Sequence, residues 1–203
     1  MTYHHGNLKE SLIQAANEAL NINGIDELSL RDIAKRAGVS HNAPYRHFRD
    51  RVDLLDNIIE RTLCELAEQI LSAPLLYPAS IRLQIQFVGR LFAQLAIHHA
   101  PKAHLLFGGL SSKSKSTSKK KNILAAGYKL LLLNIESILE PTVGHELKNG
   151  TNCKELALLI MATFRGLGVL YATNSVDELL TSEDVIFDFT DMASENLLHH
   201  HLA

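Results

Sequence analysis

The sequence predicts an all-α protein, and three features carry that expectation. Leu8, Leu12, Ala16 and Leu20 recur at four-residue intervals, the spacing of one helix face, with Ile13, Ala15 and Ala19 widening the stripe. Apolar runs are preceded by Ser, Asp or Asn and followed by Gly or Pro, the residues that start and stop helices. Strand signals are weak, with few alternating β-branched runs and no Asn-Gly hairpins between them. The expected architecture is a three-helix helix-turn-helix head over residues 1–60 and a larger helical body over 61–203. Together they make roughly nine helices with short links.

Asn7 ahead of the first run, with Glu10 three residues on, has the arrangement of a capping box, and Gly24 closes that helix. Ser29 opens a second helix, with Asp32 near its N-terminal amides and Leu30, Ile33, Ala34 and Ala37 on one face. Gly38 ends it, because glycine takes the left-handed conformation at little cost. Ser40 is placed to cap a short third helix reaching His47, and Pro44 falls in its first turn. The missing proline N–H removes the bond back to the Ser40 carbonyl, which should tighten or distort that turn. Asp50 caps a fourth helix with Leu54, Leu55, Ile58, Ile59, Leu63, Leu66 and Ile70 along one side, punctuated by Pro74 and Pro78.

In the body, Ile81 to about His98 reads as helix, and Pro101 starts a short piece near Leu105 and Phe107. Gly108, Gly109 and the Ser- and Lys-rich stretch from Ser111 to Lys121 read as an exposed linker. Ile123 to Leu139 is a long apolar helix ended by Pro141 and Gly144. Lys154 to Ala172 and Glu183 to Leu198 are the last two.

Charge is unevenly spread in this chain of 203 residues with net charge −2. Between Arg31 and Arg51, Arg31, Lys35, Arg36, Arg46, Arg49 and Arg51 face only Asp32 and Asp50. From Asn174 onward there is no Lys or Arg, while Asp177, Glu178, Glu183, Asp184, Asp188, Asp191 and Glu195 are acidic. A cationic head and an anionic tail end suit a protein whose head alone faces phosphate. No run reaches the ~18 uncharged apolar residues of a membrane span, since Lys129 and Glu136 interrupt the nearest one, and the N-terminus lacks a signal peptide's pattern. Cys64 and Cys153 stand far apart, which favours a reducing cytoplasm over a disulfide framework.

The segment Ala37-Gly38-Val39-Ser40, between two short helices and followed by Tyr45, His47 and Phe48, has the chemistry of a helix-turn-helix. Val39 fills the angle between the helices, Ala34 lets them approach, and Ser40 aims the second helix toward a major groove. The stretch Tyr3 to Leu55 resembles the N-terminal domain of the tetracycline-repressor (TetR) family. Ala15-Ala16, Gly24, Leu30, Ile33-Ala34, Ala37 to Ser40, Tyr45, His47-Phe48 and Leu54-Leu55 carry the resemblance. Tyr3 to Leu8 and His41 to Phe48 are similar to one subgroup, whose C-terminal domain has a Trp-His-Gly signature. In the segment Met161 to Gly166, Met161 stands in the Trp position, Arg165 in the His position, and Gly166 is kept.

The resemblance implies phosphate contacts for Ser29, Ser40, Tyr45, His47 and Arg51. His41, Asn42, Ala43 and Arg46 are the candidates for reading bases: Asn42 pairs with adenine, Arg46 with guanine, and Ala43 touches a thymine methyl. It also implies a dimeric, ligand-responsive repressor on a palindromic operator, with a small-molecule effector in the body and a homodimer interface on the last two helices. Phe87, Leu91, Phe107, Leu131 and Phe164 are candidate pocket walls. No cofactor is expected: His98, His99 and His104, and His199 to His201, cluster without a carboxylate or Cys at zinc-like spacing. Neither a Gly-x-Ser-x-Gly elbow nor His-Glu-x-x-His is present, so an enzyme is not expected. The alternatives at this point are a same-fold adaptor binding protein partners and, further off, a His-dependent enzyme.

Overall fold

The computed structural model describes residues 8–107, 118–143, 147–148, 150–173 and 182–202. Expectations resting on Tyr3 to Asn7, on Gly108 and Gly109, on positions 111–117, on Gly144 and on Asp177 and Glu178 lie outside those residues. Among the described residues the chain is helical: α1 (Leu8–Asn23), α2 (Leu30–Arg36), a 3-10 turn (Pro44–Arg46), α3 (Arg51–Leu76), α4 (Ile81–His98), α5 (Ala100–Phe107), α6 (Ser118–Val143), α7 (Cys153–Ala172) and α8 (Glu183–His201). The expected all-α class holds. An isolated bridge between Leu147 and Leu202 is the extended pairing recorded.

Two compact units divide the chain, Met1–Arg61 and Thr62–Ala203, and the boundary falls within α3. In the first unit the α1 stripe is buried as its period requires, with Leu12, Ala16 and Leu20 fully enclosed. Leu28, Ile33, Phe48, Leu54 and Ile58 complete that core. Arg61 on α3 pairs with Glu10 on α1.

In the second unit α7 packs against α4, α5, α6 and α8, and α4 also packs against α5, α6 and α8. Phe92 of α4 stacks on Phe107 of α5 with centroids 5.8 Å apart. Gly89 lets α4 approach α8 closely: a Cβ there would lie 2.4 Å from Thr190 Cγ2 and 2.8 Å from the Phe164 ring. Thr190 and Ser194 are buried on the facing side of α8, and each hydroxyl donates to the carbonyl four residues back, at 2.7 and 2.8 Å. Outside this apolar contact Arg90 grips Asp191 with Nε at 3.1 Å, and Arg82 reaches Glu195 at 3.0 Å.

Several boundaries differ from the sequence expectation. Pro74 and Pro141 lie inside α3 and α6 instead of ending them. A proline near a helix end removes one ladder bond. In α3 the Ala73 carbonyl still accepts from the Tyr77 amide at 2.9 Å, and the fully buried Ile70 and Ala73 hold the turn against the core. The linker expected through Lys121 also stops short, since Ser118 to Lys121 form the first turn of α6. The expectation that no uncharged apolar run reaches membrane-spanning length is unaffected by two helices that carry charged residues. Ser118–Pro141 and Cys153–Ala172 are long and apolar enough, by length and composition, to cross a membrane. Leu130 and Leu133 of α6, and Leu158, Leu159 and Leu170 of α7, are left exposed on these helices.

Candidate nucleic-acid interface

Ser29 begins the site. Its backbone is extended and its hydroxyl oxygen accepts the Asp32 amide at 3.1 Å, which caps α2 as expected. Asp32 in turn accepts from Arg36 Nε at 2.7 Å along the same helix. The exit from α2 depends on Gly38, whose φ of +67° is left-handed. Around it the Val39 amide donates to the Ala34 carbonyl at 2.9 Å and the Gly38 amide to the Lys35 carbonyl at 3.2 Å, the two bonds of a Schellman motif. Val39 is half-buried rather than enclosed.

The expected third helix from Ser40 to His47 is instead a turn followed by a 3-10 segment of three residues, Pro44–Arg46. Its physical reason is Pro44. With no N–H at that position the Ser40 carbonyl accepts from the Ala43 amide instead, at 2.9 Å, so the chain winds more tightly. The segment starts at Ala43 without a side-chain cap, so Ser40 does not cap it directly. Pro44 and Phe48 are buried, and the Pro44 carbonyl accepts from both the His47 and Phe48 amides at 2.9 Å. Two buried anchors thus fix a short loop whose remaining side chains point elsewhere. Ser40, His41, Asn42, Tyr45, Arg46 and His47 are exposed, and Ala43 is half-exposed. Tyr45 is 50% exposed, so it is not a packing residue of this domain. His47 lies beside the Phe48 ring at 6.3 Å, which steadies the imidazole at the surface.

Arg51 is placed differently from its neighbours. It is half-buried, and its guanidinium donates to the carbonyl of Ile25 in the turn after α1. Its Nε is buried with no hydrogen-bond partner among the described residues. Part of the donor set expected for phosphate is therefore used to hold the domain together. Asp50 caps α3 as expected, accepting the Asp53 amide at 2.8 Å. Asp53 accepts from the Arg49 side chain at 3.3 Å, yet that side chain stays 77% exposed. Arg31 and Lys35 on α2 are exposed too. Arg31 and Arg49 belong to the cationic stretch, and their charge is the signal the sequence offers for them.

Among the described residues, two of the five candidate pocket walls line separate spaces: Phe164 a small void and Leu91 a cleft. Leu131, Phe107 and Phe164 are buried in the packed interior, and Phe87 is half-buried beside Tyr77 at 5.9 Å. A void of about 10 Å³ beside Gly89, Phe164 and Thr190 has room for about one water. Arg165, in the signature's His position, donates from Nε to the Tyr128 hydroxyl at 3.3 Å, with its guanidinium 5.0 Å above the Tyr128 ring. Tyr128 in turn donates to the Leu106 carbonyl. Burial pushes the Tyr128 phenol up, and Arg165 pulls partly against it.

Comparison with known proteins converges on this domain. The profile of the family described as bacterial regulatory proteins, tetR family, matches residues 12–58. The class A tetracycline repressor protein from transposon 1721 of Escherichia coli is 44% identical over 55 residues, covering 27% of this chain and 26% of that protein. The match thus spans about a quarter of that relative's length. Over the whole chain, a solved protein with unknown function from Rhodococcus is 27% identical, with a TM-score of 0.68 and coverage of 97% of this chain and 98% of that one. The transcriptional regulator FadR from Bacillus subtilis, solved with stearoyl-CoA, shares the fold at 20% identity and a TM-score of 0.71, covering 95% of this chain and 98% of its own.

Proposed function

Because residues 12–58 of this chain are a TetR-family regulatory domain, we propose that the protein is a dimeric transcriptional repressor whose hold on a palindromic operator is relieved by a small molecule. The observation that carries this reading is the row of exposed polar side chains, His41, Asn42, Tyr45 and Arg46, on a turn fixed by the buried Pro44 and Phe48. Such a turn presents donors and acceptors to base edges without spending binding energy on ordering the loop. Ser29, Ser40, Tyr45, His47 and Arg51 set the register through phosphates, and Asn42, Arg46, Ala43 and His41 read bases. A cytoplasmic location goes with that role.

A second copy of the chain supplies the second half-site. Exposed apolar residues on α7 and α8, namely Leu158, Leu159, Leu170, Val185, Phe189 and Met192, support an interface built from the last two helices. Effector binding in the body acts by favouring an arrangement of the pair in which the two heads no longer reach successive major grooves. The FadR structure, solved with stearoyl-CoA, supports a ligand-holding role for a body of this fold. The reading requires no catalytic step.

Fluorescence anisotropy of the full chain on DNA from upstream of its own gene tests the reading. Saturable binding that falls steeply with salt and exceeds binding to scrambled DNA supports it. Equal affinity for both duplexes contradicts it and returns the adaptor reading to the front.

A further inference from the structure

Within the second unit a cleft of about 380 Å³ lies between α3, α4 and α5. Its apolar wall is Leu66 from α3 with Leu91 and Leu95 from α4, all buried. Its polar lining includes Lys102 of α5, only 9% exposed, and His99, which feels the charge of Lys102. Glu65 and Gln69 of α3 and Gln94 and His98 of α4 are exposed and form the rim. Of the five apolar residues expected to wall a pocket, Leu91 lines this cleft.

A lysine so enclosed is rare, because removing its ammonium from water is costly unless negative charge stands nearby. Glu65 of α3 lines the same cleft and is near enough to act on His99. His99 is held below the usual imidazole range, first by burial and then by the positive charges of Lys102 and His98, while Glu65 works the other way. A neutral imidazole beside a buried ammonium is therefore poised to gain from a further anion. That anion would pair with Lys102 and let His99 accept a proton from solvent.

Resting on the reading that the body senses a small molecule, the geometry points to this cleft as the effector site and to a small monocarboxylate with an apolar tail as its ligand class. The carboxylate sits against Lys102 and His99, and the tail covers Leu66, Leu91 and Leu95. The volume lies at the low end for ligand sites, which selects short ligands. The charged and titratable groups facing His99 are Glu65 from α3, His98 from α4 and Lys102 from α5. His98 itself stands 3.7 Å from Glu183 of α8. Ligand raises the His99 pKa above its value in the empty cleft, so binding takes up a proton. Affinity therefore rises as pH falls through the complex's pKa and levels off below that of the empty cleft.

Isothermal titration calorimetry of the full chain with phenylbutyrate, phenylbutanol and phenylbutylamine tests this, since the three share one tail. Phenylbutyrate should bind at least about tenfold tighter than the alcohol or the amine, and several-fold tighter near pH 6 than near pH 8. Lys102→Met should bring the acid down to the alcohol's affinity. His99→Gln should keep the acid's preference and flatten its pH dependence, and it carries the test if the buried lysine variant fails to fold. Equal affinity for acid and alcohol in the wild type overturns the proposal, as does a carboxylate preference that survives in folded Lys102→Met. The same titrations on protein bound to DNA separate the two readings. Phenylbutyrate binding without DNA release upholds the site and counts against the repressor mechanism. DNA release by phenylbutanol with no phenylbutyrate binding upholds the mechanism and sinks the site.

Discussion

Arg51 donates from its guanidinium to the carbonyl of Ile25, tying the first turn of α3 to the turn that follows α1. A residue placed by its sequence context at the DNA backbone thus also braces the domain that approaches it. Arg51→Ala should destabilise the head by about 1.5–3 kcal/mol, the range for hydrogen bonds to charged groups, and should weaken binding to all DNA sequences alike. Thermal denaturation followed by circular dichroism, alongside anisotropy at several salt concentrations, reads both effects. A variant as stable as the parent would show that the bond to Ile25 contributes nothing.

Arg46 has no such internal duty, since it is exposed on the 3-10 turn. Arg46→Ala should leave the melting temperature unchanged and cost about 1–3 kcal/mol at one operator position while sparing the others. Binding to a panel of single-base operator variants checks this. Uniform weakening across the panel would make Arg46 a phosphate contact instead.

The turn between α2 and the 3-10 segment was legible because Gly38 announces it: φ is +67° and a Cβ would meet nothing within 4 Å. The cost of a side chain there is therefore purely backbone. Gly38→Ala should destabilise the head by about 1–2 kcal/mol, and Gly38→Asn by less, because asparagine tolerates the left-handed region. Chemical denaturation of the two variants measures the difference. Equal losses would point to a steric origin the structure does not contain.

The helix periods of α1, α4, α7 and α8 were likewise plain, since each buries one face at the 3.6-residue period. The disturbance at Pro44 is legible in the sequence, but the transfer of the Ser40 carbonyl to the Ala43 amide, which leaves a helical segment of three residues, is not. Pro74 and Pro141 misled in the opposite sense, because packing of the surrounding turn outweighs one missing hydrogen bond. Side-chain type alone does not separate a pocket wall from core, and the contacts of Phe107 with Phe92 and of Phe164 with Gly89 join parts of the chain that no local pattern links. The cleft beside Lys102 is not legible in the sequence, because it forms only where residues of α3, α4 and α5 meet.

Gly89 makes a separate prediction about the body. Gly89→Ala places a methyl 2.4 Å from Thr190 Cγ2 and should cost about 1–3 kcal/mol through overpacking. Thr190→Ser removes the offending methyl and should recover part of that loss, the Phe164 ring remaining close. A double-mutant cycle by thermal unfolding reads the coupling. Strict additivity would mean that α4 and α8 do not meet at this pair.

Leu159 on α7 and Phe189 on α8 are 45% and 42% exposed, so charging them should cost the single chain little. Leu159→Glu combined with Phe189→Glu should shift the protein from dimer to monomer in sedimentation velocity and weaken operator binding in parallel. A dimer that persists unchanged would place the interface elsewhere.

In vitro selection from a random duplex library, using the full chain, reads most directly whether the exposed turn recognises DNA. The account predicts enrichment of an inverted repeat whose half-site centres lie about one helical turn, or a multiple of it, apart. It also predicts that Asn42→Ala with Arg46→Ala abolishes the enrichment while the protein stays folded. Failure of any sequence to enrich, or the same repeat emerging with the double variant, would contradict it.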